Sequence, residues 1–267
     1  MSAIERAWRE GGALATALRP LGALHGALGA LRAAGYRRGR PRVLPSALPV
    51  LVVGNVSVGG TGKTPLTARL VAELRERGWR PGIVSRGYGG ARHDRPRHVR
   101  ADDAARDVGD EPLMLHRATG APVCVCARRA LAVAALARDT DCDVVLSDDG
   151  LQHLAMARDA EIVVVDAERG FGNGRLLPAG PLRERPARLL GADPDMGLTA
   201  GQTDFRADLR PDGQIRRQEF SYEFGVFGAG ADLDRGGGRA SRLAPDRVFR
   251  RLGRGAGGRG GRRHSRG

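Results

Sequence analysis

Lys63 stands in the run Ser57-Val58-Gly59-Gly60-Thr61-Gly62-Lys63-Thr64, and it is the single lysine among forty-four basic side chains, all the others being arginine. A compact ammonium on a flexible stem reaches into a narrow loop that a planar guanidinium does not fit, so the address of this lysine points to phosphate chemistry. Codon bias accounts for the arginines but not for where the exception sits. In a phosphate loop, successive backbone N–H groups and the N-terminus of the following helix cradle the phosphates of a nucleotide. Lys63 then neutralises charge on the β/γ groups, and the Thr64 hydroxyl holds Mg²⁺. The strict pattern has glycine five residues before Gly62, where this chain has Ser57; a strand before the loop and a helix after it restore the context. A Gly-rich turn without a ligand is the plain alternative.

A second contact to such a metal comes from a carboxylate at the end of a neighbouring apolar strand, and the run from Asp143 to Asp149 ends in two, Asp148 and Asp149. Adjacent acids leaving a buried strand are costly unless a cation or donors satisfy them. Asp148 as the cap of a following helix is the structural alternative. The cysteines, Cys124, Cys126 and Cys142, lack paired zinc spacing, and Cys124-x-Cys126 reads as one face of a strand in a reduced protein.

The elements that must position these groups follow from the apolar pattern. Residues 48–53 form a buried strand, followed by the loop and a helix over 64–77. A second strand begins at Ile83 and runs into Ser85-Arg86-Gly87-Tyr88-Gly89-Gly90, which is too glycine-rich for regular structure. Residues 122–126, 143–146 and 161–165 give three more strands, with helices predicted over 111–117 and 128–138. Alternation of this kind predicts an α/β fold of the P-loop NTPase type, a mostly parallel sheet with helices on both faces and ligands at the carboxyl ends of the strands.

The flanks differ from this core. The chain has 267 residues, 41% of them hydrophobic, and a formal charge of +14 with only 4% aromatics, which suits an anionic partner. Residues 11–34 are rich in Leu, Ala and Gly with Arg19, His25 and Arg32 among them, which argues against a simple span. An N-terminal helix lying on a membrane, with Tyr36-Arg37-Arg38-Gly39-Arg40 as a basic edge, and an ordinary core-packing helix both remain open. No secretory signal is evident. From Arg235 to Gly267 the chain is nearly all Arg, Gly and Ala and is expected to be disordered, as a solvated tail, an RNA-binding tail or an out-of-frame reading. The expected division is a helical, membrane-associated segment 1–40, a P-loop core 41–190 and an atypical region 191–267.

Five runs in order resemble the tetraacyldisaccharide 4'-kinase family: Gly54 to Pro65, Ser85 to Gly90, Gly109-Asp110-Glu111-Pro112, Asp148-Asp149-Gly150-Leu151-Gln152-His153, and Phe171 to Glu184. The resemblance covers about Gly11 to Glu184, and the family's loop tolerates Ser57. It implies transfer of the ATP γ-phosphate to the 4'-hydroxyl of a tetraacyldisaccharide 1-phosphate, giving lipid IV A at the cytoplasmic face of the bacterial inner membrane. The N-terminal segment would dock the enzyme, peripherally or as an anchor, on an anionic bilayer. By position, Lys63 and Thr64 serve ATP and Mg²⁺, Asp148 and Asp149 the metal region, and Asp110 activates the sugar hydroxyl, with Glu111 second. Arg86, Arg129, Gln152 and His153 are candidates for the substrate's phosphate or sugar, His153 at the start of a helix where a structural role competes.

Members of that family run longer and carry a Phe-x-Asp-His-His run that this sequence lacks, so the implied Asp–His dyad is incomplete, a frameshift or truncation is expected, and an impaired kinase is an alternative. A nucleotide-switch ATPase of the partitioning type would carry a lysine where Val58 stands. A nucleic-acid binder would rely on the basic tail rather than Lys63, and no specific nucleic-acid partner is expected.

Overall fold

The computed structural model describes residues 2–166, 169–186, 199–202 and 223–226. Three helices come first, α1 (Ala3–Glu10), α2 (Ala13–Ala17) and α3 (Arg19–Arg37). Then follow β1 (Val50–Gly54), α4 (Lys63–Glu76), β2 (Pro81–Ser85), β3 (Arg97–His98), α5 (Ala105–Val108), α6 (Asp110–Thr119), β4 (Val123–Val125), α7 (Arg129–Asp139), β5 (Val144–Asp148) and β6 (Ala160–Asp166). Two short strands from beyond residue 190, β7 (Thr199–Gln202) and β8 (Glu223–Val226), extend the sheet to the order β3-β4-β2-β5-β1-β6-β7-β8.

The Val/Ile/Leu runs predicted as strands are buried on both faces, as a sheet covered on two sides requires. β1 lies between β5 and β6 and pairs with both in parallel. The two-residue alternation of a strand divides its side chains between two cores. Leu51 and Val53 join Leu66, Val71 and Leu74 of α4 and Leu113 and Leu115 of α6 on one face. Val50 and Val52 join Ala132, Val133 and Leu136 of α7 on the other. β2, β4 and β5 are also parallel, while β3 pairs antiparallel with β4 at the edge. β3 and α5 carry no apolar run, and neither is visible in the sequence pattern. Cys124 and Cys126 lie together in the α7-facing core as free thiols, as their spacing suggests.

The N-terminal segment is three helices rather than one, broken at Gly11 and Gly12 and again at Leu18. No helix among the described residues is long and apolar enough to cross a membrane. α3 packs its glycine side inward: a Cβ on Gly22 would lie 3.0 Å from the Leu176 carbonyl oxygen, and one on Gly26 would lie 2.6 Å from Leu176 Cδ1. The opposite side presents Leu21, Leu24, Leu28 and Leu31, which are 54–67% exposed and do not pack into a core. The expected disorder from residue 235 onward falls outside the described residues.

The parallel strands send their loops to one end of the sheet, where residues 55–62, 86–90, 149–158 and 169–186 gather. Leu146, at the centre of β5 and fully buried, supports that end. Leu146→Ala should lower the unfolding free energy by about 3 kcal/mol in urea denaturation, the usual cost of a core cavity of that size.

Candidate active site

The loop after β1 is held at its base and along its outer side. Asn55 Nδ2 donates to Thr61 Oγ1 across the base at 3.0 Å, with both residues buried. Outside it runs the segment 176–183. Val58 N–H donates to the Pro181 carbonyl at 2.8 Å, and Arg183 N–H donates to the Val56 carbonyl at 2.7 Å. Ser57 is buried and forms a β-bridge with Leu182, a strand-like contact at the position where the strict motif has glycine. Gly59 and Gly60 at the apex are exposed, and Lys63 and Thr64 open α4 as a phosphate loop requires.

Asp148 and Asp149 separate in role. Asp148 is buried at the end of β5, with Oδ1 3.2 Å from the Thr67 hydroxyl and Oδ2 without a hydrogen-bond partner among the described residues. Burial, reinforced by the charges of Glu111 and Asp149, pushes its pKa up to about 6. Asp149 turns the other way from a left-handed backbone, φ +47°. Its carboxylate lies 3.7 Å from Lys63 Nζ and accepts from Arg183 Nη1 at 3.1 Å on each oxygen. No helix follows, so Asp148 is not a helix cap, and His153 sits in a turn rather than at a helix start.

Asp110 and Glu111 open α6. Gly109 there has φ +91°, and a Cβ on it would come 2.6 Å from the Tyr88 carbonyl oxygen, so only glycine lets the 87–90 loop approach the helix this closely. Asp110 is exposed beside Gly89. Glu111 keeps solvent contact, yet enough protein surrounds it to raise its pKa, with Lys63 opposing the rise and Asp110 and Asp149 adding to it.

The candidate substrate residues divide. Arg86 is exposed beyond the end of β2. Gln152 Nε2 donates to the Asn55 carbonyl at 3.1 Å and to Glu184 Oε1 at 2.8 Å, tying the β5 loop to the phosphate loop. His153 is held near pKa 4 by burial and by the charges of Arg129, Arg158, Arg32 and Arg86, so its imidazole is neutral at neutral pH. Arg129 does not present a free fork. It is buried, its Nη2 donates to the Asp148 and Asp149 carbonyls at 3.1 and 3.0 Å, and burial lowers its pKa to about 10.

Three residues without a sequence-assigned role also shape the site. Arg183 holds Asp149 and, at 3.4 Å, Gln152 Oε1. Glu184 accepts from Gln152. Arg158, paired with Glu161, donates to the Leu151 carbonyl at 3.1 Å and the His153 carbonyl at 2.6 Å. The signal for Arg183 and Glu184 was the run containing Pro181-Leu182-Arg183-Glu184; for Arg158 there was none.

No three His, Cys, Asp or Glu side chains among the described residues close a metal site by themselves. A hard cation such as Mg²⁺ needs fewer, because it is held by one or two carboxylates together with substrate phosphates. The orphaned Asp148 Oδ2 beside the start of α4 fits that demand, with Thr64 and Asp149 as the neighbouring oxygen donors.

The family described as tetraacyldisaccharide-1-P 4'-kinase matches residues 14–222. The chain belongs to that family. A tetraacyldisaccharide 4'-kinase of Bordetella parapertussis is 55% identical over 191 residues, covering 71% of this chain and 55% of the relative. The Halorhodospira halophila enzyme of the same name is 57% identical, covering 70% and 57%, and that of Bordetella petrii is 50% identical, covering 80% and 63%. The chain thus spans a little over half the length of these relatives. A crystal structure of LpxK from Aquifex aeolicus in complex with ATP superposes with a TM-score of 0.66 at 25% identity, over 76% of this chain and 69% of that one. Membership carries the P-loop kinase fold with it, in agreement with the sheet order and the loop after β1.

The Asp148 carboxyl gives the site a pH signature. Unfolded, it titrates near its ordinary 3.8; folded, near 6. Between these values the native state holds the extra proton, so this group's contribution to stability falls as pH rises from about 4 to about 6 and levels off above. In cation-free buffer Asp148→Asn should therefore gain stability relative to wild type across that window. Urea denaturation at a series of pH values checks it, and parallel curves would contradict the assignment.

Proposed function

We propose that this chain transfers the γ-phosphate of ATP to the 4'-hydroxyl of a tetraacyldisaccharide 1-phosphate, forming lipid IV A. The observation that carries this reading is the single lysine at the head of α4, 3.7 Å from Asp149 and beside the buried Asp148, in a chain of the tetraacyldisaccharide-1-P 4'-kinase family. In this reading the backbone of Ser57, Val58, Gly59, Gly60, Thr61 and Gly62 cradles the ATP phosphates, and Lys63 leaves Asp149 to meet them. Thr64, Asp148 and Asp149 hold Mg²⁺, which when bound neutralises phosphate charge and orients the groups.

Asp110, exposed at the N-terminus of α6, takes the proton of the sugar hydroxyl. The hydroxyl oxygen then forms the new bond to the γ-phosphorus, while the bond to the bridging oxygen breaks and its electron pair leaves with ADP. Glu111 stands beside it as the secondary acid. Arg86 and the neutral His153 face the substrate's phosphate or sugar from the 85–90 and 149–158 loops. Gln152 and Arg129 act on substrate through the loop they hold. The support for this division is that Arg86 is exposed whereas the Arg129 fork is occupied by two carbonyls.

The same reading gives the outward leucines of α3 a purpose. Leu21, Leu24, Leu28 and Leu31 recur at helical spacing on the side away from the sheet, and Arg19, Arg32 and Arg37 lie on the same helix. Such a helix lies in the headgroup layer of an anionic bilayer without crossing it. Residues 1–40 then form the docking segment and 41–190 the kinase core, with the region beyond 190 adding the strands β7 and β8. The location is the cytoplasmic face of the inner membrane, where the acyl chains of the substrate reside. Nucleic acid has no part in it.

Two outcomes are expected. With labelled γ-phosphate, Mg²⁺ and tetraacyldisaccharide 1-phosphate in mixed micelles, Lys63→Ala should abolish labelled lipid, and Asp110→Ala should lower the rate by about 10²–10⁴ while ATP binding persists. Transfer that survives both variants would overturn the reading. Separately, replacing Leu24 and Leu28 with glutamine should weaken sedimentation with anionic vesicles by about 10²–10⁴-fold, since burying each leucine contributes about 1.5–3 kcal/mol.

A further inference from the structure

Lys63 at the start of α4 and Asp148 and Asp149 at the end of β5 meet the phosphate loop on one side, and Arg183 turns its side chain toward that side to hold Asp149. The loop follows β1, and β1 has a second neighbour, β6. From the turn after β6, Arg169 reaches back over the loop apex: a Cβ built on Gly59 would lie 3.3 Å from Arg169 Nη1, with no other atom within 4 Å. The arginine is anchored at one end. Its backbone N–H donates to Asp166 Oδ1 at 3.0 Å, and its Nε lies 3.5 Å from Asp166 Oδ2. The side chain is 54% exposed, so the anchor orients the guanidinium without enclosing it. Neither Nη group makes a hydrogen bond among the described residues.

Arg183 differs at every point. Its Nη1 is committed to Asp149 and Gln152, and its side chain is half as exposed. Two cations therefore flank the loop, one locked into the β5 network and one poised over Gly59. The backbone of such a loop and its lysine cradle the β- and γ-phosphates, and the charge of the transferring phosphoryl group spreads over its outer oxygens. A guanidinium presents paired donors to two oxygens of such a group.

We propose that Arg169 is a catalytic arginine supplied in cis, its Nη donors meeting the terminal phosphate of the nucleotide from the Gly59 side. This rests on the kinase reading above. While the γ-phosphorus passes from the bridging oxygen to the sugar oxygen, Arg169 neutralises charge on the outer phosphate oxygens; it neither gains nor loses a proton. The exposed glycine at 59 also acquires a reason beyond its φ of +106°, because a Cβ there would press on the guanidinium and shift it by a few tenths of an ångström.

The test compares the full chain with Arg169→Ala and Arg169→Lys, with Arg92→Ala as a control that removes an equal charge from a surface pair with Asp94. Calorimetric titration should show ATP affinity falling about tenfold in Arg169→Ala with ADP affinity within twofold of wild type, and phosphoryl transfer falling about 10³-fold. Arg169→Lys should recover ATP affinity in part and the rate little, because an ammonium cannot span two oxygens. Arg92→Ala should match wild type in both. An Arg169→Ala chain with unchanged ATP affinity overturns this inference and leaves the kinase reading standing. So does equal loss for ATP and ADP, which marks a general structural effect. Failure of the wild-type chain to bind ATP at all overturns the kinase reading and this inference with it.

Discussion

Charge balance at the carboxyl ends of β1 and β5 governs the rest of the site. Burial raises the pKa of both Asp148 and Glu111 there, and neighbouring acids add to it, Glu111 and Asp149 at Asp148 and Asp110 and Asp149 at Glu111. Asp149 is satisfied by Lys63 and Arg183, while Asp148 Oδ2 has no partner among the described residues. The free protein thus has Lys63 and Arg183 engaged with Asp149, and at Asp148 a carboxyl that holds its proton to higher pH than usual. In the proposed reading a nucleotide with its metal would reverse both conditions, phosphate competing for Lys63 and the cation favouring the ionised carboxylate. The resting pairings occupy the positions that ligand groups would take, which limits the collapse of a charged cleft.

The loop from Asp149 to Arg158 keeps its shape by an unusual use of arginine. Arg129 gathers the carbonyls of residues 148 and 149, and Arg158 those of 151 and 153. Buried carbonyls need donors, and in a turn between parallel strands the ladder supplies few. Two arginines, one at the start of α7 and one just before β6, provide them from beneath. The Asp149 and Gln152 side chains meanwhile face Arg183 and the phosphate loop. Two of the arginines that make the chain basic thus serve as internal scaffolding.

The core was legible because its signal is local. Valine-rich runs and alternating helices placed β1, β2, β4, β5, β6, α4, α6 and α7 within a few residues, and the phosphate loop could be read from residue type and spacing alone. β3 has only Arg97 and His98 to announce it, and its pairing with β4 is a tertiary event. The fate of Arg129 was likewise hidden, since sequence gives arginine as a surface residue and only the fold brings two carbonyls to it. His153 was read as opening a helix, whereas Arg158 gathers its carbonyl into a turn. Arg183 finds Asp149 across 34 positions and Arg169 reaches Gly59 from another strand's turn, distances at which no spacing rule operates.

The Lys63 side chain is 11% exposed and lies against Asp149 in the loop itself. Because every other basic side chain is an arginine, an amine-directed reagent meets no ε-amino group elsewhere on the chain. Acylation would therefore place its tag either at the amino terminus or at the nucleotide site, with no surface background to subtract. The protein thus carries an intrinsic chemical reporter of its own loop, whose labelling rate registers the opening of the Asp149 pair and whose protection registers a phosphate in its place.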